Sequence, residues 1–237
     1  MLVLLTLFLI AEKLTLSNTN MCAIFGSSDF ETFCKLYELN KPRGISASSA
    51  LVIANDGWIQ CVKADGCFDT KALKPGKIYL GHCQAPTTQQ QTFNKDTAHP
   101  FNWNRFYVAH NGIITNVDQL VNDYSIESFA KTGVDSSVIP ELIARIYHGR
   151  QPLQLPEVLK TACTKLKGTF ACYILSERDN RVFLARCGST LFYDQKGNFS
   201  SVKFEDSVPF EEGRIGEVNR DGINYIEYFT CNSPFFI

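Results

Sequence analysis

Short apolar runs that alternate with polar residues dominate this chain, and clusters of Asn, Asp and Gly separate them. Such alternation is typical of half-buried β-strands joined by tight turns. The strongest hairpin signal lies at 50–63, where two β-rich runs flank Asn55-Asp56-Gly57. Further hairpins are predicted at 169–186, 191–204 and 213–229.

Between the hairpins lie four stretches with helical patterns. They are 29–39, 117–130, 136–147 and 156–166. Asp29 stands at the N-cap position of the first. Pro140 is tolerated only in a first turn, so the third helix is expected to begin just after Asp135. Strands grouped in hairpins, with helices between the groups, predict an α+β fold built in layers rather than a parallel βαβ sheet.

Composition and charge narrow the functional classes. Hydrophobic residues make up 45% and charged residues 20% of the chain, as in ordinary globular domains. The formal net charge is −1, which gives no electrostatic reason to expect nucleic acid or an anionic membrane as partner. The nine cysteines are odd in number and irregularly spaced, without a C-x-x-C pair. We therefore expect reduced thiols in a cytoplasmic protein, with no cofactor and no metal.

The amino-terminal segment differs from the rest of the chain. Its apolar core of about ten residues is too short to span a bilayer, and it lacks the basic flank and the cleavage site of a signal peptide. Methionine occurs only at Met1 and Met21, and Met21 directly precedes Cys22. We therefore expect a leader at 1–21 and a domain at 22–237. Translation from Met21 and excision of the leader as a propeptide are both open routes to a chain that begins at Cys22.

Several short motifs are more specific than a core requires. They are MCAIFG at 21–26, RG at 43–44, GHCQAPT at 81–87, AHP at 98–100, HNGIITN at 110–116, and Asp135 before a helix. Singly, each reads as an ordinary strand, loop, turn or helix cap. The stretch 105–115 reads as a buried strand that runs into a sharp turn at Asn111-Gly112. Such a turn would direct a side-chain amide and a backbone N–H the same way.

In this order and spacing, the motifs resemble those of the class II glutamine amidotransferases. These are the N-terminal-nucleophile (Ntn) hydrolase domains of glucosamine-6-phosphate synthase, amidophosphoribosyltransferase and asparagine synthetase. The resemblance runs from Cys22 to about Tyr193. It implies a four-layer αββα sandwich of two antiparallel sheets, and hydrolysis of the glutamine side-chain amide through a cysteine thioester. Since the chain leaves no room for an acceptor domain, the ammonia is expected to pass to a separate synthetase or transferase subunit.

The resemblance also implies catalytic roles. Cys22 would act as the first residue, because its thiol can attack while its own α-amine, of pKa about 8, accepts the proton. Asn111 and Gly112 would form the oxyanion hole, in which one donor contributes about 3 kcal/mol. Arg43 and Gly44 would orient the nucleophile and its amine.

The residues implied for substrate binding depart from the family at one position. Asp135 would accept hydrogen bonds from the α-ammonium of glutamine, and Thr87 and His99 would belong to the pocket. Gln84 stands where the family has an Arg that pairs with the α-carboxylate, and a neutral amide cannot replace that charge. Lys95 and Arg105 are candidate substitutes.

Two other readings remain open. An Ntn amidohydrolase could keep the same nucleophile and cleave another amide, either a γ-glutamyl compound or an amide without a free carboxylate. A domain of this fold could also serve as a non-catalytic scaffold or regulatory binder if Cys22 is never exposed as the first residue.

Overall fold

Two antiparallel sheets and five α-helices make up the computed structural model, which describes residues 21–85, 94–149, 154–219 and 221–233. The strands are β1 (Ala23–Ser27), β2 (Ala47–Ile53), β3 (Ile59–Asp65), β4 (Ile78–Gln84), β5 (Phe101–Trp103), β6 (Phe106–Ile114), β7 (Gly168–Ser176), β8 (Arg181–Cys187), β9 (Phe192–Tyr193), β10 (Phe199–Ser200), β11 (Val208–Pro209), β12 (Arg214–Asn219) and β13 (Gly222–Tyr228). The helices are α1 (Phe30–Asn40), α2 (Val117–Tyr124), α3 (Ser128–Thr132), α4 (Val138–Gly149) and α5 (Leu155–Lys165). Short 3₁₀ turns cover Lys41–Arg43, Thr70–Ala72 and Asp135–Ser137.

The sheets pack face to face around one apolar layer. The seven-stranded sheet has the order β11-β9-β10-β1-β4-β2-β3, and the six-stranded sheet has the order β13-β12-β8-β7-β6-β5. Side chains from both sheets form the layer between them, among them Ile24, Leu51, Leu80, Ala109, Tyr173, Leu184 and Phe199. Because successive side chains of a strand point to opposite faces, the remaining apolar residues of each sheet are left for the helices to cover.

Helices cover both outer faces. On the seven-stranded sheet, Phe33 and Tyr37 of α1 pack on Phe25 with ring centroids 5.4 and 5.7 Å apart. On the six-stranded sheet, α2, α4 and α5 bury their apolar faces with strand residues such as Val108 and Ile174. The expected αββα sandwich is therefore confirmed. No helix of the described residues is long and apolar enough to cross a membrane.

The hairpin and helix predictions are confirmed where local sequence decides the structure. The pair β2–β3 turns at 54–58, where Gly57 has φ of 87° and Ala54 N–H donates to the Trp58 carbonyl. The pairs β7–β8, β9–β10 and β12–β13 match the other three predicted hairpins. Asp29 caps α1 by accepting a 2.8 Å hydrogen bond from Thr32 N–H. Pro140 lies in the first turn of α4, as expected.

The predicted single helix at 117–130 is wrong, because the chain breaks between α2 and α3. Ser125 adopts a left-handed φ of 53° and ends α2. The buried carboxylate of Glu141 then accepts the backbone N–H groups of Glu127 and Ser128, at 2.9 and 2.8 Å. These bonds satisfy the first amides of a new helix, so α3 starts afresh.

The predicted turn at Asn111-Gly112 is also wrong. Strand β6 continues through both residues to Ile114, since β7 pairs with it residue by residue from Phe106↔Ser176 to Ile114↔Gly168. The long partner strand overrides the local turn preference of the Asn-Gly pair.

Candidate active site

Cys22 lies at the entrance to β1, beside the last residues of β4. Ala23 pairs with Cys83 and Ile24 with His82, so Cys22 and Gln84 are the next residues outward on the two antiparallel strands. Ile24 belongs to the layer between the sheets. The two-residue alternation therefore puts Cys22, His82 and Gln84 on the face of this sheet that meets the other sheet.

The Cys22 thiol is buried and protonated at neutral pH. Its Sγ lies 3.6 Å from the Ala85 carbonyl oxygen and donates to it. Burial raises the pKa of this thiol to about 11, against the opposing effects of the Ala85 hydrogen bond and the Arg43 charge. With Met21 attached, the nitrogen of Cys22 is an amide and offers no base. A chemically competent thiol at this place needs a base of its own.

The Arg43-Gly44 pair contacts both Cys22 and Ala85. Arg43 Nε donates to the Cys22 carbonyl oxygen at 3.1 Å, and its buried Nη2 makes no hydrogen bond within the described part of the chain. Gly44 packs so closely on Ala85 that an added Cβ would lie 2.5 Å from the Ala85 nitrogen. Because residue 44 is glycine, the backbone of Ala85 can approach it closely. The Ala85 carbonyl is the group that accepts the hydrogen bond from the Cys22 thiol.

Asn111, on β6 of the six-stranded sheet, is linked by hydrogen bonds to β1 of the other sheet. Its Nδ2 donates to Ser201 Oγ at 3.2 Å, and the same oxygen accepts Ile24 N–H at 3.0 Å. Ser201 N–H in turn donates to the Ile24 carbonyl at 2.8 Å. The buried Asn111 amide is therefore fixed beside Ile24, two residues from Cys22, and among the described residues its second N–H has no acceptor.

Gly112 is required by space and by backbone conformation. Its φ is 147°, and an added Cβ would lie 2.0 Å from the Thr169 carbonyl oxygen and 2.9 Å from His110 Nε2. A side chain at 112 would therefore separate β6 from β7 beside Asn111.

Asp135 joins the end of β6 to the start of α4. Its Oδ2 accepts Ile114 N–H at 2.7 Å, and its Oδ1 accepts Ser136 N–H at 2.7 Å and lies 3.1 Å from Ser136 Oγ. A carboxylate accepts about four hydrogen bonds, so this half-buried group keeps capacity for one further donor.

Three buried histidines line the junction of the sheets in neutral form. His82 Nε2 donates to the His110 carbonyl at 3.2 Å, which leaves its Nδ1 as an acceptor without a partner among the described residues. The His82 and His99 ring centroids lie 4.0 Å apart. Burial lowers the pKa of His82 to about 3 and also lowers the pKa of His99 and of His110. His99 is therefore a neutral group that packs on the His82 ring.

The structure puts the two cations that the sequence suggested as substitutes in different places relative to Gln84. Gln84 is buried, and its Nε2 lies 3.4 Å from the Thr97 carbonyl. Arg105 directly precedes β6, at the end opposite Asn111 and about 20 Å from it along the strand. Lys95 is exposed, and its backbone N–H donates to Asp65. Thr87, the last predicted site residue, lies outside the described residues.

Lys63 brings a cation to the same short segment. Its Nζ donates to the Ala98 carbonyl at 2.6 Å, one residue beyond the carbonyl that Gln84 contacts. Lys63 is half-buried, and burial lowers its pKa. The side chains of Gln84 and Lys63 thus donate to the neighbouring carbonyls of Thr97 and Ala98.

Comparison with known proteins agrees with the geometry. Residues 88–203 match a family model described as a glutamine amidotransferase domain. The chain contains a class II glutamine amidotransferase domain. This amidotransferase domain is 27% identical over 199 residues to 7-cyano-7-deazaguanine synthase 2 of Sulfurisphaera tokodaii, covering 75% of the chain and 42% of the relative. It is also 27% identical over 204 residues to glutamine–fructose-6-phosphate aminotransferase of Bartonella quintana, covering 79% and 33%. The chain thus spans less than half the length of these relatives.

The fold comparison points the same way. The structure of glutamine phosphoribosylpyrophosphate amidotransferase from B. subtilis superimposes with a TM-score of 0.67 at 21% identity, covering 89% of the chain and 49% of that protein. The likeness shows that the amidotransferase domain has the same fold.

Two residues that contact the candidate site are missing from the sequence-based set. Ser201 follows β10, far along the chain from Ile24, and only the pairing of β1 with β10 brings the two together. In the sequence, Lys63 is one polar residue of an alternating strand, and only the packing of residues 97–98 brings its ammonium group near Gln84.

Proposed function

We propose that this domain hydrolyses the side-chain amide of glutamine through a thioester on Cys22, once Cys22 is the first residue of the chain. One arrangement supports the proposal most. The buried Cys22 thiol lies at the start of β1, with Arg43 on its carbonyl and with Asn111 fixed through Ser201 to Ile24. A nucleophile, a cation on its backbone and an amide donor therefore converge.

The steps follow from the groups present. The free α-amine of Cys22 takes the thiol proton, and the thiolate attacks the amide carbon of glutamine. Asn111 Nδ2–H and Gly112 N–H stabilise the oxyanion. The α-ammonium of Cys22 returns its proton to the departing amide nitrogen of glutamine, which leaves as ammonia. Water then cleaves the thioester to give glutamate and restore the thiol.

Maturation is part of this proposal. Residues 1–21 act as a leader or lie upstream of the working start, and the domain comprises 22–237. Initiation at Met21 followed by methionine removal is the simpler route, because Cys is small enough to follow a removable methionine. Excision of a propeptide would produce the same terminus.

Substrate binding is assigned to three side chains. Asp135 accepts the α-ammonium through its remaining hydrogen-bonding capacity. Lys63 supplies the positive charge for the α-carboxylate, and Gln84 contributes its second N–H beside it. His99 is proposed to line the pocket as a neutral group, and Thr87 is proposed as a substrate contact from its motif alone. The ammonia passes to a separate synthetase or transferase partner in the cytoplasm.

A second candidate substrate class follows from Gln84. Its Oε1 is buried and accepts no hydrogen bond from the described residues. An acceptor at this position suits an amide whose neighbouring group donates a hydrogen bond, in place of a free carboxylate. The same nucleophile would then cleave a different γ-amide.

Ammonia release from a panel of amides tests the proposal. A chain that begins at Cys22 should release ammonia from glutamine, and Cys22→Ala should abolish the release. Cys61→Ala changes an exposed thiol on β3 and should leave the rate unaltered. Faster turnover of γ-amides without a free carboxylate would favour the second class. Folded protein without activity on any amide would favour a non-catalytic role.

A further inference from the structure

Three ligand-type side chains from distant parts of the chain converge beside the six-stranded sheet. Cys187 ends β8, Glu212 lies in the turn before β12, and Cys231 follows β13. The two Sγ atoms and a Glu212 carboxylate oxygen lie within 4.8 Å of one another. Cys231 Sγ and Glu212 Oε1 are 3.3 Å apart.

Backbone contacts fix this cluster in place. Gly188 N–H donates to Glu212 Oε1. Gly213 N–H donates to the Arg186 carbonyl at 3.0 Å, and Phe229 N–H donates to the Gly213 carbonyl at 2.8 Å. The three segments that carry the ligand atoms are therefore hydrogen-bonded to one another, and the ligand atoms converge without an ion.

The donor set fits zinc. A tetrahedral zinc ion bound by two thiolates and one carboxylate holds its ligand atoms about 3.5–3.8 Å apart. The Cys231–Glu212 separation is 3.3 Å, and all three ligand atoms lie within 4.8 Å of one another, so a small adjustment would accommodate the ion. Thiolates select zinc over magnesium or calcium, which prefer oxygen ligands.

The charge of the cluster also suits a divalent ion. Two thiolates and the Glu212 carboxylate carry three negative charges, which a divalent ion and Arg186 together neutralise. Arg186 Nε lies 3.4 Å from Glu212 Oε2, so the other carboxylate oxygen, Oε1, is the one that faces Cys231.

We propose that Cys187, Glu212 and Cys231 bind one zinc ion, with solvent as the fourth ligand, and that this ion fastens the segment 229–233 to the end of β8. Asn232 in that segment accepts Gly168 N–H at 3.1 Å and donates to the Thr164 carbonyl at 3.0 Å. The ion thereby steadies the first residue of β7, which pairs with Ile114. This role is structural and does not depend on the proposed glutaminase reaction. Because the three ligands are far apart in sequence, no spacing motif marks them.

Metal titration of the full chain tests the site. After treatment with reductant and chelator, the protein should bind one equivalent of Co²⁺ with the visible absorption of a tetrahedral thiolate site, and Zn²⁺ should displace it. Cys187→Ser and Cys231→Ser should remove the absorption, and Glu212→Gln should weaken binding at least about tenfold. Cys61→Ser and Glu211→Gln are matched controls that should keep the full equivalent.

Thermal unfolding gives a second readout. Zinc at about a hundredfold over its Kd should raise the Tm of the wild type and of both controls by roughly 5–10 °C. It should leave the Tm of the Cys187→Ser/Cys231→Ser protein unchanged. The proposal is overturned if the wild type binds no equivalent, or if binding persists in the double variant. An intact mass two hydrogens short, with a Cys187–Cys231 disulfide under reducing conditions, also overturns it.

Discussion

Gln84 and Lys63 end on the neighbouring carbonyls of Thr97 and Ala98, so a carboxylate held there meets one neutral amide and one cation. Lys63→Met should therefore raise KM for glutamine by about 10- to 150-fold, the equivalent of roughly 1.5–3 kcal/mol for a hydrogen bond to a charged group. The kcat should change little, because the carboxylate binds alike in ground and transition states. Steady-state kinetics check this prediction, with Lys71→Met on an exposed turn as control. An unaltered KM would remove Lys63 from the pocket.

Gln84→Arg supplies the converse test at the same site. A second cation beside Lys63 should lower KM for glutamine, again with little change in kcat. Kinetics with glutamine and with an amide that lacks the carboxylate distinguish the two substrate classes. If Gln84→Arg abolishes activity while the wild type prefers the amide that lacks a free carboxylate, Gln84 is an adaptation to that substrate.

At the residue scale, the sequence predicted those groups whose motif is contiguous. Cys22, Arg43, Gly44, Asn111, Gly112 and Asp135 were predicted as a set, and the fold gathers them along β1, β6 and the turns beside them. The contacts of Ser201 and Lys63 could not be predicted, because they arise from strand pairing and loop packing between residues far apart in sequence. Arg105 lies about 20 Å from Asn111 because β6 continues as an extended strand between them.

Element by element, β6 shows how pairing overrides local preference. The Asn-Gly pair favours a turn, but nine consecutive pairings with β7 keep the strand extended through Gly112. The hairpins and α1 were predictable because their turns and caps are local. The break between α2 and α3 was not, since it depends on Glu141 in another helix.

Gly112→Ala tests the close approach of β6 and β7. The added methyl would lie 2.0 Å from the Thr169 carbonyl, and overpacking of this kind costs about 1–3 kcal/mol. We expect a lower unfolding free energy in urea and lost activity, because β6, which carries the proposed oxyanion donors, must shift. Gly66→Ala is the matched control, since Gly66 also has positive φ, 72°, and its Cβ would meet open space. It should cost only the backbone strain, about 1 kcal/mol. Equal losses in the two variants would contradict the steric argument.

At the scale of the whole molecule, the sandwich was predictable from the grouping of strands and helices and from the resemblance, but the strand order was not. β1 lies between β4 and β10, and β10 comes from a part of the chain more than 170 residues later. The non-local order closes the layer between the sheets and buries the three histidines at their junction.

Those buried histidines predict how stability depends on pH. His82 stays neutral in the folded state down to a pH of about 3, whereas the unfolded chain binds its proton below about pH 6.5. The unfolded state therefore gains protons first, and stability is lost as pH falls through this window. Between pH 7 and pH 5 the unfolding free energy should fall by about 2 kcal/mol through His82 alone. Urea denaturation at the two pH values measures it, and His148→Gln, at an exposed histidine, should leave the difference intact. A flat profile would contradict neutral burial.

In the proposed reaction the α-amine of Cys22 activates its thiol, and one comparison tests this most directly. Ammonia release from glutamine is measured for two chains of verified amino terminus, one beginning at Met1 and one beginning at Cys22. We predict turnover only for the second, because an amide nitrogen at Cys22 cannot take the proton from a thiol of pKa about 11. Equal turnover by the chain that still begins at Met1 would contradict the account.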